Sequence, residues 1–219
     1  MIITCISTSN IKSMKDNSAS TKVCDLIGNI IKEKNGEEVK VEVVPLVEYD
    51  LSSCIMCGKC GGSGKCLYDN DFNLIYSKLV EADGIFFVVP HYAPIPSKLM
   101  MILEKLQQLC FVQYCKDKNS CFKLQKKTVG IIGHGGQQPS EEVLKYYKKA
   151  LLDTVANSLA GVGMKVIGIN EESPNGVVFG IKDMIFTEEK LFPDMIHDWE
   201  DVKERIEPLV NKMLLEIEE

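Results

Sequence analysis

The chain has 219 residues, 45% apolar and 26% charged, with a net charge of −6 and nine cysteines. That length supports one good-sized core and is marginal for two, and the composition is that of a soluble globular protein. The acidic balance argues against a nucleic-acid partner, and no apolar run approaches the roughly 20 residues that span a bilayer.

The first strand is predicted over residues 2–6, an apolar run with β-branched members and no basic stretch before it. It reads as structure rather than as a secretion signal, so the expectation is a cytoplasmic protein. A helix follows over about 20–34, with Val23, Ile27, Ile30 and Ile31 at helical spacing and Asn35-Gly36 to close it. Residues 39–44 alternate Val with Lys and Glu, as a strand with one wetter face does. Residues 72–81 suggest a second helix carrying Leu74, Ile75 and Leu79. The run Gly-Ile-Phe-Phe-Val-Val at 84–89 suits a central parallel strand buried on both faces. A helix is predicted over 97–109, a buried strand over 129–132, a long helix over 141–159, a strand over 165–169 and a terminal amphipathic helix over 202–217, with Pro208 inside it.

This alternation predicts an α/β fold: a flavodoxin-like, doubly wound parallel sheet of five strands in the order 2-1-3-4-5. One domain over 1–219 is expected, with a cysteine-rich loop at 50–70. Residues 171–199 break the alternation and are expected to form an irregular excursion.

In such a sheet ligands bind beyond the carboxyl ends of the strands, at the switch point. Three loops should meet there. The first runs Ser7-Thr8-Ser9-Asn10 and on through Ser18, Ser20 and Thr21 into a helix. Hydroxyls and a helix N-terminus can cradle a phosphate, or simply cap the helix. Neither GxxxxGK[ST] nor GxGxxG is present, which removes P-loop and Rossmann dinucleotide sites. The second, Pro90-His91-Tyr92-Ala93 followed by Pro94 and Pro96, could wall a pocket for a flat ring, or be a stiff turn into a helix. The third, Gly133-His134-Gly135-Gly136, allows close backbone approach; His134 is either a contact there or merely exposed.

Reducing conditions disfavour disulfides, and an odd cysteine count leaves at least one unpaired. Cys54, Cys57, Cys60 and Cys66 have the spacing C-x2-C-x2-C-x5-C. Four thiolates this close can hold a [4Fe–4S] cluster or zinc; free or redox-active thiols on a glycine-rich loop are the remaining readings. Cys110, Cys115 and Cys121 form a looser group with no assigned role, and Cys5 and Cys24 are expected in the core.

Together these features resemble the NADPH-dependent FMN reductase family of the flavodoxin-like superfamily, and within it the iron–sulfur flavoproteins. The residues that carry the resemblance are the four cysteines 54–66, the acidic pair Asp69 and Asp71, the run from Glu81 through Asp83-Gly84 to Pro90-His91-Tyr92, and the glycine loop 133–136. It covers residues 1–169. It implies FMN, with the phosphate near Ser7, Ser9, Ser18, Ser20 and Thr21. The isoalloxazine would lie between Pro90, His91, Tyr92 and Ala93 on one side and Gly133, His134, Gly135 and Gly136 on the other. The resemblance further implies a [4Fe–4S] cluster on Cys54, Cys57, Cys60 and Cys66 that exchanges electrons with FMN, NAD(P)H as a reductant, and a homodimer or homotetramer. The first loop departs from the family pattern: it is longer and lacks the usual Gly-Ser-Pro-Arg opening.

The expected function is therefore redox chemistry through FMN and an iron–sulfur partner, with a small-molecule or protein electron donor and acceptor. A cluster-free NAD(P)H-dependent FMN or quinone reductase is the first rival. A metal-binding or thiol redox-sensing protein without flavin is the second. No catalytic acid or base is assigned.

Overall fold

The computed structural model describes residues 1–14, 17–36, 38–119 and 121–218; residues 15 and 16 of the first loop lie outside it. Five parallel strands, β1 (Ile2–Ser7), β2 (Lys40–Pro45), β3 (Gly84–Pro90), β4 (Thr128–His134) and β5 (Lys165–Ile167), lie in the order β2-β1-β3-β4-β5. This is the doubly wound, flavodoxin-like order expected. All seven residues of β3 and all seven of β4 are buried, as central strands covered on both faces must be.

Helices α1 (Ala19–Asn35) and α7 (Trp199–Glu218) cover one face. The other is covered by α3 (Asn70–Glu81), α4 (Ser97–Lys116) and the run from α5 (Glu141–Tyr147) to α6 (Thr154–Gly161). Local chemistry fixes the helix ends. The Ser18 hydroxyl accepts from Thr21 N–H to cap α1, and Gly36, at φ 62°, closes it in a conformation that favours glycine. Asp69 caps α3 by accepting from Phe72 N–H at 2.8 Å. Pro208 is tolerated inside α7: its ring and the Glu204 carbonyl it leaves unbonded both lie on the exposed side.

The structure departs from the expectation in three places. α4 runs two turns beyond residue 109, which carries it past the cysteine loop. A π-helical stretch, Lys148–Asp153, interrupts the predicted long helix between α5 and α6. The excursion is not wholly irregular. Its β6 (Val177–Phe179) adds a sixth strand, pairing in parallel with the last three residues of β4 while β5 pairs with the first three. Gly176, at φ 126°, lets the chain enter β6 where a Cβ would overlap the Ile131 carbonyl. Strands β7 (Asp183–Ile185) and β8 (Asp194–Ile196) then form an antiparallel hairpin that holds Phe186, Leu191 and Phe192 in solvent.

Candidate functional site

The three loops do meet. Thr8 N–H and its hydroxyl both donate to the Val88 carbonyl, at 3.1 and 2.9 Å, joining the first loop to β3. His91 N–H donates to the His134 carbonyl at 2.7 Å, joining the second loop to the end of β4. The Ser9 hydroxyl lies 3.3 Å from the Tyr92 hydroxyl. The ends of β1, β3 and β4 are thus bound into one rim.

The hydroxyls of the first loop face one another. Thr21 Oγ1 bridges Ser7 Oγ and Ser18 Oγ, each at 2.9 Å, and all three residues are buried. Ser20 Oγ turns the other way and lies 2.8 Å from His134 Nε2. These side chains shape the loop. What they leave for an anion is the first turn of α1, where the Ala19 and Ser20 N–H groups have no acceptor within the helix. Asn10 donates from Nδ2 to Ser97 Oγ at 3.2 Å, and its Oδ1 is buried without a hydrogen-bond partner, an acceptor available to a ligand. Tyr92, 39% exposed, and Ala93 line the open side of the rim.

His91 is not free to serve as a base in the mouth. Its Nε2 lies 3.0 Å from the Tyr146 hydroxyl, and its ring packs against Tyr146 and Tyr147 of α5. Tyr147 in turn accepts from Gln137 N–H at 3.2 Å and holds the third loop. Gly135 is required there because a Cβ would overlap the Tyr147 ring. Gly135→Ala should therefore displace Tyr147 and break its bond to Gln137. An overpacking cost of about 1–3 kcal/mol is expected, seen as a lower melting temperature together with faster loss of flavin on gel filtration.

His134 is neither exposed nor turned toward the mouth. It points to the α1–α7 face, buried, with its ring stacked on Phe179 at 5.2 Å and edge-on to His197 at 6.5 Å. Burial, with a smaller contribution from His197, pushes it down to about 3, so it is a neutral imidazole at physiological pH. His197 is depressed too, by burial and by Lys22, and stacks on Trp199. The excursion therefore supplies the wall behind the first loop, a role no sequence signal marked.

The cysteine tract forms a second feature. Cys54, Cys57, Cys60 and Cys66 all line one cavity of about 290 Å³, against Phe72 and Lys105. Cys60 opens a short helix, α2 (Cys60–Ser63), and is the most buried of the four. Burial pushes its thiol up, and the thiols of Cys57, Cys54 and Cys66 act in the same direction. Cys66 is clamped by Asn73, which accepts from its N–H at 2.8 Å and donates to its carbonyl at 2.7 Å. Among the described residues, no three His, Cys, Asp or Glu side chains converge tightly enough to hold a single metal ion. Cys110 is half-buried behind this region, and Cys115 and Cys121 are exposed and off the cavity.

Helix α4 connects the two features. It begins where the second loop ends. Lys98 donates to the carbonyls of Leu46 and Val47, at 2.9 and 3.2 Å, and to that of Tyr49. Lys105, two turns on, donates to the Ser52 carbonyl and forms a 2.7 Å ion pair with Asp69. Burial would raise Asp69, but its bonds from Lys105, Ser52 and Phe72 prevail and hold it below the usual carboxylate range. Two lysines on one face of α4 thus fix the segment that leads into Cys54. Lys105 was visible as a lysine on the apolar stripe of Ile102, Leu106 and Leu109, but only the structure supplies its partner.

A parallel sheet at whose switch point a helix N-terminus, a rigid aromatic loop and a glycine loop converge defines a flavodoxin-like fold, in which ligands bind at that crevice. Among the described residues, no helix is long and apolar enough to cross a membrane. The chain belongs to the NADPH-dependent FMN reductase family, whose model matches residues 11–162. It is 27% identical over 103 residues to an iron–sulfur flavoprotein of Methanocaldococcus jannaschii, a match covering 47% of this chain and 49% of that one. It is 26% identical over 227 residues to an iron–sulfur flavoprotein of Clostridioides difficile, covering 92% and 98%. The chain thus spans about half the length of the first relative and nearly all of the second. In fold it is similar to RosB with a bound 8-demethyl-8-formylriboflavin-5′-phosphate intermediate, at a TM-score of 0.60 and 16% identity over 98% of this chain and 76% of that one. It is likewise similar to FerB, an NAD(P)H:acceptor oxidoreductase of Paracoccus denitrificans, at a TM-score of 0.59 and 10% identity over 99% and 97%.

Proposed function

We propose that this protein binds FMN at the β1–β3–β4 rim and passes electrons between it and an iron–sulfur centre held by Cys54, Cys57, Cys60 and Cys66, with NAD(P)H or a carrier as the outer donor. The observation that carries this reading is the cysteine cavity. Four cysteines line one space, and the helix that contributes Lys105, Gln108 and Leu109 to its wall starts at the loop proposed to hold the flavin ring. A Cys₄ zinc site draws its sulfurs to about 2.3 Å from one point, whereas a four-iron cube is bulky and spreads its thiolates around a volume. Four cysteines lining one cavity are the ligand set that a four-iron cube takes.

When bound, FMN supplies the exchange between electron pairs and single electrons, and a four-iron centre supplies a one-electron store. The chain's own residues do the rest. The first turn of α1 offers N–H groups to the phosphate, in place of the arginine that the first loop lacks. Asn10 Oδ1 offers an acceptor to a ligand hydroxyl or N–H. Tyr92 and Ala93 give one wall for the flat ring, and Gly133 and Gly135 allow backbone approach on the other. The His91–Tyr146–Tyr147 group keeps both loops in place. A cluster-free NAD(P)H-dependent FMN or quinone reductase is the second reading, favoured because no three metal-ligating side chains among the described residues group closely enough to hold a metal ion.

Protein purified without oxygen and assayed for flavin, iron and sulfide decides between them. Flavin bands with a broad visible shoulder and about four irons per chain are expected. Flavin without iron selects the second reading. Colourless protein that takes up no added FMN overturns the flavin site.

A further inference from the structure

The cysteine cavity has one charged side chain in its wall, and that charge is buried. We propose that Lys105 sets the reduction potential of the centre held by the four cysteines, with Asp69 as its positioning residue; this rests on the iron–sulfur reading above.

Lys105 is 3% exposed and its partner Asp69 only 1%. A buried pair is usually of little use to stability, because desolvating two charges offsets their attraction. This pair is asymmetric with respect to the cavity. Lys105 lines it, and Asp69 does not. The Asp69 carboxylate is turned to the start of α3, where Oδ1 accepts from Phe72 N–H at 2.8 Å and Oδ2 accepts from Ser52 N–H and its hydroxyl at 2.9 and 3.0 Å. A helix N-terminus and three neutral donors therefore satisfy the anion, and the cation's field toward the thiols is only partly cancelled. The ammonium is fixed as well as buried: it donates to the Ser52 carbonyl and to Asp69, and it sits 5.5 Å from the centroid of the Phe72 ring. Phe72 itself lines the cavity and keeps water from screening the charge.

Four thiolates around an iron–sulfur core carry net negative charge. Adding one electron, with no bond made or broken, makes the centre more negative by one unit. A fixed cation in the wall favours that state. Removing it should make the centre harder to reduce, whereas the flavin, proposed to lie at the start of α4 about two turns away, should be unaffected.

The test is an anaerobic potentiometric titration of the full protein, with dithionite as reductant and one-electron dyes as mediators, following the cluster and the flavin separately. The main variant is the double Lys105→Met/Asp69→Asn, because Lys105→Met alone would leave Asp69 buried without its cation. At the potential that half-reduces the wild-type centre, the ratio of reduced to oxidised centres in the double variant should fall about tenfold. Lys105→Arg, which keeps the charge, should stay within about twofold, and the flavin midpoint should not move in either variant. A double variant with full iron and an unchanged cluster midpoint overturns the inference alone. A double variant that folds by circular dichroism but holds no iron assigns the pair to scaffolding and also overturns it. Wild-type protein that contains flavin but no iron overturns the iron–sulfur reading and this inference together.

Discussion

Cys57→Ala should abolish iron binding and spare the flavin. Iron is expected to fall from about four per chain to background, while flavin content and the flavin spectrum stay at wild-type values. Both halves of this expectation come from placement. Cys57 lines the cavity with the other three thiols but is itself exposed on the loop, so its truncation removes a ligand without opening the core. The proposed flavin rim is built by β1, β3 and β4, and among the described residues none of its hydrogen bonds reaches the cysteine loop. Cys115→Ala is the matching control: that thiol is also exposed, lies off the cavity, and should leave iron unchanged. Unchanged iron in Cys57→Ala would falsify the assignment of the tract as a ligand set. Loss of both cofactors would show that the loop and the flavin rim fold as one unit.

The parts of the fold that could be read from the sequence are those whose residues carry their own pattern. The apolar runs in β3 and β4 declared central strands, and the order of alternating elements left 2-1-3-4-5 as the economical winding. α1 was legible from its spacing and from the Asn35-Gly36 stop. β6 was not, since three residues cannot show a period, and Val177–Phe179 becomes a strand only by pairing with the end of β4. The extra turns of α4 were lost for a similar reason. Their support is the cysteine loop, with Gly61 packed against Val112 and Lys116, and that contact is tertiary.

The candidate site divides in the same way. Composition marked a hydroxyl-rich loop, a proline-aromatic loop and a glycine loop, and topology brought them together. Which hydroxyl bonds which could not be read. Ser7, Ser18 and Thr21 turned out to hold one another, Ser9 meets Tyr92, and Ser20 meets a histidine over a hundred residues away. His134 was treated as a loop residue because glycines flank it. Its side chain instead follows the strand alternation of β4 and enters the core beside Phe179.

That burial carries a consequence for pH. The unfolded chain takes up a proton on His134 near pH 6.5, whereas the folded chain resists until about pH 3. Between those values the unfolded state binds more protons, so stability rises with pH in this window and is lost on acidification. From pH 7 to pH 5 His134 alone should cost about 2 kcal/mol, or a fall in melting temperature of about 4–8 °C for a chain of this size. His197, depressed in the same direction, adds to the fall. Asp69 does not interfere: its depressed value makes its contribution present above the ordinary carboxylate range near pH 4 and lost only below it. His134→Gln should melt lower than wild type at pH 7, since it gives up the stack on Phe179 and strains the bond to Ser20, yet lose no more than half as much as wild type does on going to pH 5. Melts of both proteins at the two pH values, at fixed FMN, measure this directly. Equal pH slopes would place the acid sensitivity elsewhere. A flattened slope would identify the neutral, buried His134 as the source of the acid sensitivity, and would tie the first loop, through the Ser20 bond to that imidazole, to its staying unprotonated.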